Sequence, residues 1–92
     1  MKTPVEVAVA LKEIYEAEFG GKDRGRYQIS RQALRELSVR GRLEGSTVDA
    51  IVSDTYELGF VVTDLGDDFS VVEVDVMRSY RKVPARVISK HA

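Results

Sequence analysis

Gly59-Phe60-Val61-Val62-Thr63-Asp64-Leu65-Gly66-Asp67-Asp68-Phe69-Ser70-Val71-Val72-Glu73-Val74-Asp75-Val76 is the stretch that decides the fold. Phe60, Val62 and Asp64 alternate with Val61, Thr63 and Leu65, the two-residue period of a half-buried strand. Gly66-Asp67-Asp68 is a turn signal, and Phe69 to Val76 is again β-rich, with Val72, Val74 and Val76 on one side. The reading is a two-stranded hairpin. Upstream of Gly59 the apolar residues instead recur at helical spacing. The chain is therefore expected to be α+β and mainly α.

Three helices are expected ahead of the hairpin. Thr3-Pro4-Val5-Glu6 reads as a capping box with proline at the first helical position. Val7, Ala8, Leu11, Ile14, Tyr15 and Phe19 follow on one face, and Gly20-Gly21 reads as the stop. That predicts a first helix over 4–19. Gly20 to Gly25 is a connector, because its lysine does not follow the last glycine as in a phosphate-binding loop. Arg26-Tyr27-Gln28-Ile29 is a short extended stretch. Ser30 reads as an N-cap, with Ala33, Leu34 and Leu37 striping a second helix over 31–40 that Gly41 ends. Ser46 reads as the cap of a third helix over 47–58, whose inner face is Val48, Ile51, Val52, Thr55 and Leu58. After the hairpin, Asp75 reads as the cap of a short last helix carrying Val76, Met77, Tyr80 and Val83, which Pro84 interrupts. All seven glycines fall at these expected boundaries, so the local signals agree with one another. One domain over 1–92 is expected, with a core over about 3–83 and a basic, weakly patterned tail over 84–92.

Helix, short strand, helix, tight turn, helix and β-hairpin is the order of a winged helix-turn-helix domain. The chain resembles that superfamily over about residues 3–76. Ser30 to Leu37 stands for the second helix, Gly41 to Ser46 for the turn, Val48 to Gly59 for the third helix, and Phe60 to Val76 for strand, wing and strand. The resemblance implies three helices, a two- to three-stranded antiparallel wing sheet and a short C-terminal helix. It also implies a role in reading DNA or in docking proteins, because the fold alone does not choose between them.

The charge pattern narrows that choice. A net charge of -1 over 92 residues conceals segregated blocks. Residues 1–19 carry -2, residues 20–43 carry +5, residues 44–77 carry -9 with no basic group, and residues 78–92 carry +5. In a DNA-reading winged helix the third helix enters the major groove and the wing touches the backbone, which demands cations and amides there. Here those elements present an acidic face of Asp49, Asp54, Glu57, Asp67 and Asp68. Conventional major-groove reading is excluded by repulsion. The blocks can also neutralise one another within the domain. The candidate basic patch lies elsewhere, in Arg24, Arg26, Arg31, Arg35, Arg78, Arg81 and Lys82. Arg31 and Arg35 share a helix face, and Arg78, Arg81 and Lys82 share a face of the last helix. Tyr27 and Tyr80 stand among these cations, either to stack on bases or to bury their rings.

An enzyme is not expected. The chain has no cysteine, and its one histidine, His91, is penultimate. No cofactor or metal site is expected, since Asp64, Asp67 and Asp68 read as turn residues rather than cation ligands. No membrane segment or signal-peptide profile is visible, so a cytoplasmic, bacterial-type chain is the expectation. Two functions follow from the charge pattern. The first is a small module for protein association, with itself or with a regulatory partner, through charge-segregated faces. The second is a nucleic-acid-binding accessory protein that uses basic helix 2 and the C-terminal segment.

Overall fold

A computed structural model describes all 92 residues. The elements run α1 (Pro4–Tyr15), β1 (Tyr27–Ser30), α2 (Arg31–Leu37), α3 (Gly45–Glu57), β2 (Phe60–Asp64), β3 (Asp68–Glu73), α4 (Val74–Arg78) and α5 (Ala85–His91). The fold is α+β, with a three-stranded antiparallel sheet in the order β1-β3-β2. Tyr27 pairs with Val71 on one side of β3, and Val62 pairs with Val71 on the other. The strand alternation then sends Tyr27, Phe60, Val62, Phe69 and Val71 to one face. There they meet Val7, Leu11 and Tyr15 of α1, Leu34 of α2, and Val48 and Ile51 of α3 in one apolar cluster. Burial of these side chains is the main stabilising term, at about 1.5–3 kcal/mol for each large apolar residue.

Helix α1 begins as expected. The Thr3 hydroxyl accepts from the Glu6 N–H at 3.2 Å, and the Glu6 carboxylate accepts from the Thr3 N–H at 3.0 Å. The backbone hydrogen bond from Thr3, with the Thr3 side chain beside it, holds the Glu6 carboxyl below its ordinary range. The helix ends at Tyr15, however, and not at Phe19. Gly20 and Gly21 both take positive φ, 58° and 80°. They form a tight reversal across which Phe19 and Lys22 exchange backbone hydrogen bonds of 3.0 Å. The glycine pair makes a miniature hairpin rather than a helix cap.

Helix α2 starts on Ser30, whose hydroxyl accepts from the Ala33 N–H at 3.0 Å. It closes at Leu37, three residues before the expected end. Val39 stands at φ 54°, the one non-glycine residue with positive φ. Around it the Val39 N–H donates to the Glu36 carbonyl and the Arg40 N–H to the Arg35 carbonyl, the double bond of a Schellman end. Gly41 is not the stop. Helix α3 begins at Gly45, so Ser46 lies inside the first turn and is not its cap. Glu44 holds the cap position without a side-chain bond. Val48, Ile51 and Thr55 are buried as expected, but Leu58 caps the far end and is exposed.

The second strand is shorter than the sequence suggests. Phe60–Glu73 is the last pair of the β2–β3 ladder, and Gly59, at φ 94°, turns the neighbouring chain away. The Val74 N–H donates to the Gly59 carbonyl at 2.9 Å, and the chain coils directly into α4. Glu73 is the cap, Asp75 lies in the first turn, and Val74 and Val76 are helical. Val72, Val74 and Val76 therefore do not form one strand side; the inward residues of β3 are Phe69 and Val71. Arg81 and Lys82 fall after the end of α4, so they do not share a helix face with Arg78. The tail, expected to be weakly patterned, holds a helix. Pro84 holds the N-cap of α5 in extended backbone, at φ -77°.

This last segment stands away from the cluster. No residue of α5 is buried. The radius of gyration is 15.5 Å, against about 12 Å for a compact chain of this length.

Candidate functional site

The outward face of α3 follows from its inner stripe. With Val48, Ile51 and Thr55 turned inward, the helical period leaves Asp49, Ser53, Tyr56 and Glu57 exposed and Asp54 half-buried. The Thr55 hydroxyl is satisfied inside the helix, donating to the Ile51 carbonyl at 2.6 Å. Asp67 is exposed at the β2–β3 turn, and Asp68 is half-buried at the start of β3. None of Asp49, Asp54, Glu57, Asp67 and Asp68 is ion-paired.

The basic residues divide by what they meet. Arg24 pairs with Glu73 at 2.9 Å and lies over the Tyr15 ring, 5.4 Å from its centroid. Arg31 Nη2 donates to Asp64 Oδ1 at 2.6 Å, Arg31 Nε donates to the Gly66 carbonyl at 2.7 Å, and the guanidinium covers the Phe69 ring at 4.6 Å. The Arg31 bond, with a second from the Gly66 N–H, holds the Asp64 carboxyl below its ordinary range. Arg31 thus clasps the hairpin turn to α2. Both ion pairs join the basic block of 20–43 to the acidic block of 44–77.

The other cations are not engaged in this way. Arg35 and Arg42 have no carboxylate partner. They line, with Arg31 and Gln32, an open depression of about 470 Å³ at the α2–α3 turn. Arg42 is the cation missing from the sequence-derived patch, and its place beside the α2 arginines is set by the turn, which has no helical period to read. Arg26 lies in a groove of about 350 Å³ on the outer face of the sheet, with Gln28, Ser70, Val72 and Tyr80. Arg78 Nη2 donates to the Tyr56 hydroxyl at 3.4 Å. Arg81 and Lys82 flank a separate cleft with Val83, Pro84 and Val87. The α2 arginines and Arg78, Arg81 and Lys82 share no depression, hydrogen bond or ion pair.

The two tyrosines part company. Tyr27 is buried, and its hydroxyl donates to the Leu11 carbonyl at 2.7 Å. Burial pushes its phenol well above the ordinary tyrosine range. Its ring meets Tyr15 and Phe19, so it is a core residue and not a stacking platform. Tyr80 is 60% exposed. Arg40 was not singled out by the sequence reading. Its Nη2 donates to the Lys2 carbonyl at 3.0 Å, while its Nε is buried without a partner.

No group of three or more His, Asp or Glu side chains is placed to hold a metal ion, and no helix is long and apolar enough to cross a membrane. Comparison with protein-family models, curated proteins and solved structures gives no match.

Proposed function

We propose that this chain is a winged-helix-like module that acts by protein association through charge-segregated faces. The element order α1-β1-α2-α3-β2-β3 and the sheet order β1-β3-β2 support the winged-helix part of this reading. The observation that carries the functional part is the incomplete internal neutralisation. The two ion pairs use Arg24 and Arg31, while the α3 carboxylates and the C-terminal cations have no carboxylate or cation opposite them. Exposed charges of one sign on a folded surface steer encounters with the opposite sign and set partner choice.

Light scattering of the chain at low and high salt tests this, together with capture on wild-type and D49K/E57K baits. A salt-sensitive assembly, or a partner retained by the wild-type bait and lost from the reversed one, is expected. A salt-independent monomer with identical captures on both baits overturns the reading.

A second reading is favoured by the depression that Arg31, Arg35 and Arg42 line, which suits a phosphate backbone held without base reading. It predicts a shift of random duplex at about 50 mM salt that weakens steeply as salt rises. No shift under that condition removes it.

A further inference from the structure

The segment after α4 is the least explained part of the molecule. Residues 79–92 carry Arg81, Lys82, Arg86 and Lys90 and no carboxylate side chain. They also expose Tyr80, Val83 and Ile88, the last two at 63% and 57%. A solvated basic tail has no physical need for this apolar content. An isolated seven-residue helix is also too short to be stable in water by propensity alone. Its helical form calls for a surface to pack on, yet within its own chain Val87 alone is half-buried and no residue of α5 is fully buried.

The same chain carries a surface of complementary character. The outward face of α3 mixes the carboxylates of Asp49, Asp54 and Glu57 with the exposed ring of Tyr56, and Leu58 is exposed at its end. No basic side chain forms an ion pair with it. The root of the C-terminal segment sits beside that face, because Arg78 reaches the Tyr56 hydroxyl. Beyond that root the segment makes no ion pair with the face, and none of its α5 residues is buried against the rest of the chain. An arm that starts at the edge of its own acceptor face can reach the equivalent face of a neighbour across a two-fold axis along that edge. The exchange is then reciprocal and closes at two chains.

We propose that residues 79–92 are an exchange arm, and that the arm of one chain docks on the outward α3 face of a second copy. Arg81, Lys82 and Arg86 meet Asp49, Asp54 and Glu57 across the contact. Val83 and Ile88 cover Tyr56 and Leu58. This deepens the association reading above and rests on it.

The test is a charge exchange in the full chain, read by light scattering. One variant reverses the arm (R81E/K82E/R86E) and the other reverses the face (D49K/E57K). Thermal melts of each alone establish that both fold. At about 0.01 M salt the wild type is expected at twice the 10.3 kDa of one chain. Each variant alone then opposes like charges and is expected at the single-chain mass. An equimolar mixture restores both contacts and is expected to return to the doubled mass. At about 1 M salt, where the Debye length is about 3 Å, the doubled species is expected to diminish. A wild type of single-chain mass at low salt overturns the proposal. So does a mixture that stays monomeric, or a variant that keeps the doubled mass alone. Assembly that survives both reversals removes the arm while leaving self-association in place. A salt-independent monomer with bait-independent captures removes both.

Discussion

Replacing Val39 by glycine should make this protein more stable, although it deletes an apolar side chain. Val39 is held at φ 54°, where the Cβ of an L-residue crowds the following carbonyl, at a cost of about 1–2 kcal/mol. The surroundings impose that conformation. The Val39 and Arg40 N–H groups complete the α2 end, the Ser38 hydroxyl donates to the Leu34 carbonyl at 2.7 Å, and the Ser38 carbonyl accepts from the Lys2 N–H at 3.0 Å. Glycine relieves the strain. It also enlarges the conformational freedom of the unfolded chain, which costs about 0.4–1 kcal/mol. At 62% exposure the lost side chain gives up little burial. The balance is a gain of about 0.5–1 kcal/mol, or about 2–8 °C in Tm for a chain of this size. Urea melts followed by circular dichroism should show a higher midpoint with an unchanged slope. Val39→Asn should lie between wild type and glycine, since asparagine tolerates the left-handed region, and Val39→Ala should gain least. A Val39→Gly protein no more stable than wild type would refute the strain argument. An equal gain from alanine would refute it too.

Other outcomes follow from the same contacts. Ser30→Ala removes the α2 cap and should cost about 1 kcal/mol in a denaturant melt. Phe69→Ala opens a void at the centre of the sheet and should cost about 3–5 kcal/mol, visible as a large loss in urea midpoint. Tyr27→Phe leaves the ring in place but removes the hydroxyl bond to Leu11, at about 0.5–1.5 kcal/mol. The Asp64 carboxyl should titrate below its ordinary range by carbon-detected NMR. Because the folded state lowers its pKa, its contribution is present above the unfolded value and is lost as pH falls through the folded one. Asp64→Asn should therefore lower Tm at neutral pH and leave it unchanged at pH values below the folded pKa.

The helix starts were legible where a side chain performs the capping itself, at Thr3 and Ser30. They were not legible where it does not: Glu44 and Glu73 hold the cap positions without a side-chain bond, so the capping residue types at Ser46 and Asp75 each lie two residues beyond the true cap. The glycine pair at 20–21 carried an ambiguity that local sequence does not resolve, since a helix stop and a tight reversal both require positive φ. The acidic face was legible because helical spacing fixes which residues share a side. The fate of the arginines was not. Arg24 meets a carboxylate 49 residues away and Arg31 one 33 residues away, and neither pairing leaves a periodic trace. Periodicity reports which face a residue occupies, whereas the partner of that face depends on how the elements dock.

Two strands of this molecule pass into helices with no residue between them, β1 into α2 at Ser30 and β3 into α4 at Glu73. The second junction has a mechanical consequence. A pull on the C-terminal segment is delivered to β3, the middle strand, first through its pairing with β2 at Glu73 and Val72 and, from Val71 inward, through two hydrogen-bonded ladders. An edge strand in that place would bear the load on one ladder and peel from its end. The C-terminal segment is therefore anchored on the one strand of the sheet that has a partner on both edges, so a pull on it must loosen two ladders before it opens the core.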